Sequence, residues 1–229
     1  MPPEPVHAVK LSCHPDTPTD AVHGIAARVR RMLEGKLAVT YVLEADLDRL
    51  RVPAPRAARA ANGLWRHTCC EIFIACKGLP AYREFNFSPS GEWAAYAFDG
   101  YRVPGAGGLD VAAPVPHIAV RDAASRLELD AVIPVDCIPA SQTRTTLWLA
   151  LSAVVEERNG ALSYWALRHP PGKPDFHHPE AFALELAAPT AASLCDPSSG
   201  RRGPIPQPAP SESHHPAPRG RTPRAGGER

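Results

Sequence analysis

The chain lacks most of the features that announce a function. It holds 229 residues, yet only two methionines and no apolar run that nears the roughly 20 residues a membrane span needs. The first residues, MPPEPVHAVKLSCH, show neither the basic start nor the continuous apolar stretch of a secretory signal. A membrane protein is not expected, and the sequence reads as soluble and cytoplasmic. Charge is balanced at a formal +1, so the basic stripe of a nucleic-acid-binding body is missing. No CxxC pair occurs among Cys13, Cys69, Cys70, Cys76, Cys137 and Cys195, and zinc-ligand spacing is absent. These read as free thiols acting as small apolar groups. There is no GxGxxG opening a helix, no P-loop, no GxSxG elbow and no HExxH. An enzyme is therefore not expected, and no residue is assigned a catalytic role.

Aromatic residues also run out: no Phe, Tyr or Trp follows Phe182. From about Pro189 the composition turns to Pro, Ser, Gly and Arg. Six arginines face Asp196, Glu212 and Glu228 there, a net +3 that leaves the preceding body near −2. Without large apolar groups such a segment cannot offset the entropy of ordering its backbone. Residues 1–188 are expected to form one domain and 189–229 a disordered tail, either a solvated extension or a dock for a protein partner.

What the chain does have is alternation. Val6–Cys13 and Leu37–Leu47 alternate apolar and polar residues as half-buried strands do. Asp16–Glu34 is predicted to hold a short helix, capped at Thr19 or Asp20 with Ile25, Val29 and Leu33 on one face. Pro53–Asn62 reads as a connection. Cys70–Lys77, Tyr82–Ser88 and Glu92–Phe98 follow, separated by Gly78-Leu79-Pro80 and Pro89-Ser90-Gly91, and predict an antiparallel meander. Val103–Pro116, rich in Gly and Pro, is expected to be a flexible loop. His117–Arg121, Arg126–Ile133 and Thr145–Glu156 are further strands, the last apolar on both faces and so central. Leu162–Arg168 should pair with it across Asn159-Gly160. His169–Glu180 is a proline-stiffened loop, and Ala181–Leu186 a closing strand. The fold class is all-β: an antiparallel β-sandwich of about nine or ten strands with one or two short helices.

Candidate binding residues come from the same strands. Tyr82, Glu84, Asn86 and Ser88 share one strand face, with Phe85 and Phe87 on the other. The polar row faces water or a ligand. Trp65 and Trp93 stand at strand junctions, where binding loops collect, and Trp165 near the His169 loop is a third candidate. Trp148, on the central strand, reads as core. Glu71 opens an apolar strand and needs a partner if buried, for which Arg66, Arg83 and Arg102 are available. His169, His177 and His178 share their loop with Lys173 and Asp175; the stiffened loop reads as a preordered lid or rim of a site or as a structural connection, with a metal site on these histidines a further alternative.

Three stretches together, LWRHTCCEIFIACKG, YREFNFSPSGEWAAYAFDGYR and SYWALRHPPGKPDFHHPEAF, resemble the bacterial DOMON-like domain proteins, relatives of the family-9 carbohydrate-binding-module-like β-sandwiches. The likeness spans roughly Val6 to Leu186 and implies a sandwich with a ligand pocket. Relatives of that kind bind sugars or haem. The haem-binding relatives use a methionine with a histidine or lysine, so the resemblance implies that here His169 or His177 would pair with Met32 or another histidine. The leading expectation is a non-catalytic domain that binds a small molecule, a sugar or sugar phosphate, through Trp65, Arg66, Glu84, Asn86, Trp93, Arg102, His169, Lys173 and His177. A haem or redox-metal protein is the first alternative, and a structural or adaptor module the second.

Overall fold

Alternation at period two sets nearly every element of the chain. In a computed structural model the described residues are 5–32, 35–109, 115–134 and 145–188. All belong to the first of the two units into which the chain divides, Met1–Leu194. The tail expected at 189–229 lies outside the described residues, as do Cys137 and Cys195.

Twelve strands form: β1 (His7–Cys13), β2 (Val22–Met32), β3 (Lys36–Ala45), β4 (Cys69–Cys76), β5 (Tyr82–Phe87), β6 (Trp93–Gly100), β7 (Val103–Leu109), β8 (His117–Ala123), β9 (Arg126–Pro134), β10 (Leu147–Glu156), β11 (Leu162–Ala166) and β12 (Leu184–Leu186). Hydrogen bonding runs in the order β7-β6-β5-β4-β10-β11-β1-β2-β3-β9-β8, with β12 on β10, and the strand pairs are antiparallel. The meander β4–β5–β6 and the β10–β11 hairpin form as predicted, and Gly160 at φ 90° makes the Asn-Gly turn.

One continuous ribbon buries its apolar surface by bringing its two halves face to face. Ile25, Val29, Val39, Tyr41 and Leu129 from one half share a core with Ile72, Ile74, Phe85, Phe87, Leu149 and Leu151 from the other. Tyr41 spans it, its hydroxyl donating to the Glu71 carbonyl at 2.5 Å. The joint is β1, whose His7–Leu11 pairs with β2 while Ser12 and Cys13 pair with β11.

Several expectations are corrected. Val22–Met32 is a strand, not a helix. Ile25 and Val29 lie four apart, a spacing that fits one turn of helix and two steps of strand equally. Buried Ala27 between them, with Arg28 and Arg30 exposed, decides for the strand. No α-helix occurs among the described residues; Leu47–Arg49, Leu64–Arg66 and Pro179–Ala181 are single 3₁₀ turns. Val103–Leu109 is an edge strand rather than a loop, and its pairing with β6 is irregular. Edges tolerate the glycine and proline that a central strand would not. Trp148 points outward, 40% exposed beside Lys77 and Glu185, because the inward parity of β10 belongs to Leu147, Leu149 and Leu151. The four described cysteines are free, and Cys70 and Cys76 lie on the core-facing parity of β4.

Replacing Tyr41 by Phe removes a buried hydrogen bond between the two halves of the ribbon. Urea unfolding is expected to show a loss of about 1–2 kcal/mol, more than a surface change costs.

Candidate functional site

The sheet built from β6, β5, β4, β10 and β11 is apolar on its second face too. Phe73, Tyr82, Ala150, Val154 and Ala166 lie there, away from the shared core. A face of that kind must be covered, and the His169–Phe182 segment covers it with Phe176, Ala181 and Phe182. The cover is pinned by histidines. His14 accepts from the Asp16 amide on Nδ1, so its Nε2 donates to the Gly172 carbonyl at 2.9 Å. His169 Nε2 donates to the Ser12 carbonyl at 2.9 Å, and His178 Nδ1 caps the turn at Glu180.

Between sheet and cover is a cavity of about 410 Å³, within the range of small-molecule sites. Glu71, Glu84 and Val154 line it from the sheet, with the rings of Tyr96, Phe98 and Tyr164. Pro174, Phe176 and His177 line it from the cover, and Trp65 and Arg102 complete it. Trp65 is 46% exposed and stands at the mouth on the Leu64–Arg66 turn, with the Arg66 guanidinium over its ring at 4.9 Å. Gly63 starts that turn at φ 76°, and Tyr96 fixes it by donating to Asn62 at 2.8 Å.

Arg102 has φ 54°, a value a bulky residue rarely adopts. It is held there by contact with the cover. Its guanidinium bonds Asp175 at 2.8 Å, and Asp175 also accepts from the Tyr101 hydroxyl and the His177 amide. Burial pushes the Asp175 pKa up, but those hydrogen bonds and the Arg102 charge outweigh it and hold the carboxylate below its usual range. The Arg102 amide donates to the Tyr82 hydroxyl, which in turn donates to His177 Nδ1 at 2.8 Å. His177 Nε2 then carries the proton and faces Glu84 at 3.7 Å, too far for a hydrogen bond. Burial, and secondarily Arg102, lowers the His177 pKa to about 4, so this contact joins a neutral ring to a carboxyl group and is not an ion pair near neutrality.

Two glutamates share the sheet side of the cavity. On adjacent strands Glu71 pairs in register with Asn86, and Glu84 with Phe73. Both carboxyl groups therefore project to one side, two residues apart along the strands. Asn86 donates to Glu84 at 2.8 Å. Among the described residues, Glu71 Oε1 has no hydrogen-bond partner, nor do Asn86 Oδ1 and Ser152 Oγ beside it. Burial, then the neighbouring Glu84 charge, drives the Glu71 pKa well up. Burial raises Glu84 to about 7, against the pull of Asn86 and Arg102.

Of the residues expected from sequence, Trp65, Glu84, Arg102 and His177 meet at the cavity. The others do not line it. Trp93 is 2% exposed in the shared core, because β6 turns Trp93 and Ala95 inward and Tyr96 and Phe98 toward the cavity side. Trp165 is buried in that core with its indole N–H on Ser163. Asn86 is 0% exposed and serves Glu84 from behind. Arg66 stacks on Trp65 outside, Lys173 is exposed, and His169 is spent on Ser12. Glu71 finds no ion-pair partner among the described residues, contrary to expectation. Sequence reading missed Tyr96, Phe98, Tyr164 and Phe176; strand parity with Glu84 could have found the first two.

No group of three or more His, Cys, Asp or Glu side chains suited to a metal occurs among the described residues. The cavity is lined by one histidine and no methionine, so the pairing of Met32 or a second histidine with His177 expected from the sequence is not assembled there. Among the described residues no helix is long and apolar enough to cross a membrane.

Folded-state stability should record the carboxyl pair. Both pKa values lie above those of the unfolded chain, so the folded state holds protons that the unfolded state has lost. The Glu84 contribution is whole below about pH 4.5 and declines as pH rises through about 7, by up to ~1.4 kcal/mol per pH unit, and Glu71, shifted in the same direction, adds to the decline. Chemical denaturation from pH 4.5 to 7.5 should show Glu84→Gln gaining stability relative to the parent as pH rises. Parallel curves would contradict the assignment.

No family model matches the chain, and no curated protein matches it. Among solved structures it is similar to that of a proposed carbohydrate-binding protein from Bacteroides uniformis ATCC 8492. The TM-score is 0.55 at 14% identity, over 77% of this chain and 83% of that one. The likeness is one of fold.

Proposed function

We propose that the chain binds a small polyhydroxylated, sugar-like molecule in the cavity beneath the His169–Phe182 segment, without transforming it. The observation that carries this reading is the exposed Trp65 indole at the mouth of a cavity whose sheet side presents Glu71 and Glu84. Aromatic faces pack against the apolar face of a sugar ring, and carboxyl oxygens take its hydroxyl protons. The resemblance to DOMON-like and carbohydrate-binding sandwiches supports the reading, as does the proposed carbohydrate-binding role of the Bacteroides uniformis protein. A cytoplasmic setting, expected from the sequence, makes free sugars and their derivatives the natural candidates rather than polysaccharide.

Calorimetric and tryptophan-fluorescence titrations with mono- and disaccharides test it. Binding should saturate at one ligand per chain and alter indole emission. Trp65→Ala should weaken it about tenfold or more, near 1.4 kcal/mol. Trp148→Ala, outside the cavity, should leave it unchanged. Equal effects of the two substitutions, or silence across the panel, would overturn the reading.

A further inference from the structure

We propose that the ligand carries a protonated amine, seated between Glu71 and Glu84 with aromatic rings around it, so that amino sugars are preferred to neutral ones. This rests on the binding reading above and specifies its ligand class.

The charges around the cavity lead there. Arg102 is neutralised by Asp175, and the His177 ring is neutral. The Cys69, Cys70, Tyr82 and Tyr96 groups near the pair are pushed above their usual ranges by burial and remain uncharged. Glu71 and Glu84 are then the ionisable groups of the cavity left without a counter-charge.

Hydrogen-bond accounting agrees. Glu71 is 2% exposed, lines the cavity and has an oxygen with no donor among the described residues; the Asn86 side-chain amide oxygen beside it lacks one there too. A buried acceptor left unpaired is costly, and carboxylate and amide oxygens can only accept. An ammonium group brings three donors and a charge of the right sign. The rings of Trp65, Tyr96, Phe98, Tyr164 and Phe176 line the same cavity, and aromatic faces attract cations. A phosphorylated sugar, admissible from sequence, would meet carboxylates with its own negative charge and fits worse. Without a cation the raised pKa values let a proton stand in, and the amine displaces it.

Titrating the full-length chain with glucosamine, glucose, N-acetylglucosamine, cyclohexylamine and cyclohexanol at pH 7.5 decides the matter. Glucosamine should bind about tenfold to a hundredfold more tightly than glucose or N-acetylglucosamine, the range of a charge-assisted hydrogen bond. Proton release should appear as a buffer-dependent enthalpy. Glu71→Gln should erase the amine preference, read as the ratio of glucosamine to glucose affinity falling to about one, and Glu84→Gln provides a second removal if the first variant fails to fold. Glucose bound as tightly as glucosamine, or a preference that survives both substitutions, overturns the amine and leaves sugar binding standing. Cyclohexylamine bound through Glu71 with every sugar silent supports the amine and overturns the sugar. Silence from all five overturns both.

Discussion

A sheet with two apolar faces needs two covers, and the architecture follows from that demand. β4 and β10 carry large apolar side chains at both parities, Ile72 and Ile74 against Phe73, and Leu149 and Leu151 against Ala150 and Val154. The facing half of the ribbon satisfies one side with regular strands. The other side receives a short, proline-rich segment that is too small to fill it. The space left between Phe176 and the sheet is the cavity. The site is therefore a product of incomplete coverage, and its aromatic lining is the same apolar surface that called for a cover.

The polar groups within it follow a different logic. Two carboxyl groups on neighbouring strands, both deeply buried, cost free energy that a hydrophobic pair would not. Asn86 offsets part of that cost for Glu84, and nothing among the described side chains does so for the Glu71 Oε1 atom. Binding surfaces tolerate such local deficits because a guest can make them good. The strained backbone at Arg102 belongs to the same pattern. Its left-handed turn is retained where it brings a guanidinium to Asp175 and fastens the β6–β7 turn to the cover.

Much of this was legible in the sequence, for physical reasons. Parity alone separates Phe85 and Phe87 from Glu84 and Asn86, and turn residues mark the meander. It was less informative where two periods coincide. Ile25 and Val29 suit a helix as well as a strand; the partner strands β1 and β3, and with them the burial of Ala27, settle the matter. Nor does a residue's type reveal which of two covered faces it serves. Trp93 and Trp65 look alike as junction tryptophans, yet one is core and the other rim. His169 and His177 share a loop, yet one anchors its base while the other faces the cavity. Convergence of Phe176 and Tyr164 on Glu71 depends on strands far apart in the chain, which no local pattern encodes.

The divided allegiance of β1 has a consequence for synthesis. Its first residues find β2 as soon as both leave the ribosome, but Ser12 must wait for Ala166, 154 positions later. β3 likewise stays unpaired on one side until β9 is made. The nascent chain thus carries open strand edges through most of its translation, which are sites for mispairing with other chains. Closure around so long a loop also slows folding. The domain becomes whole only when its last strands reach back to its first.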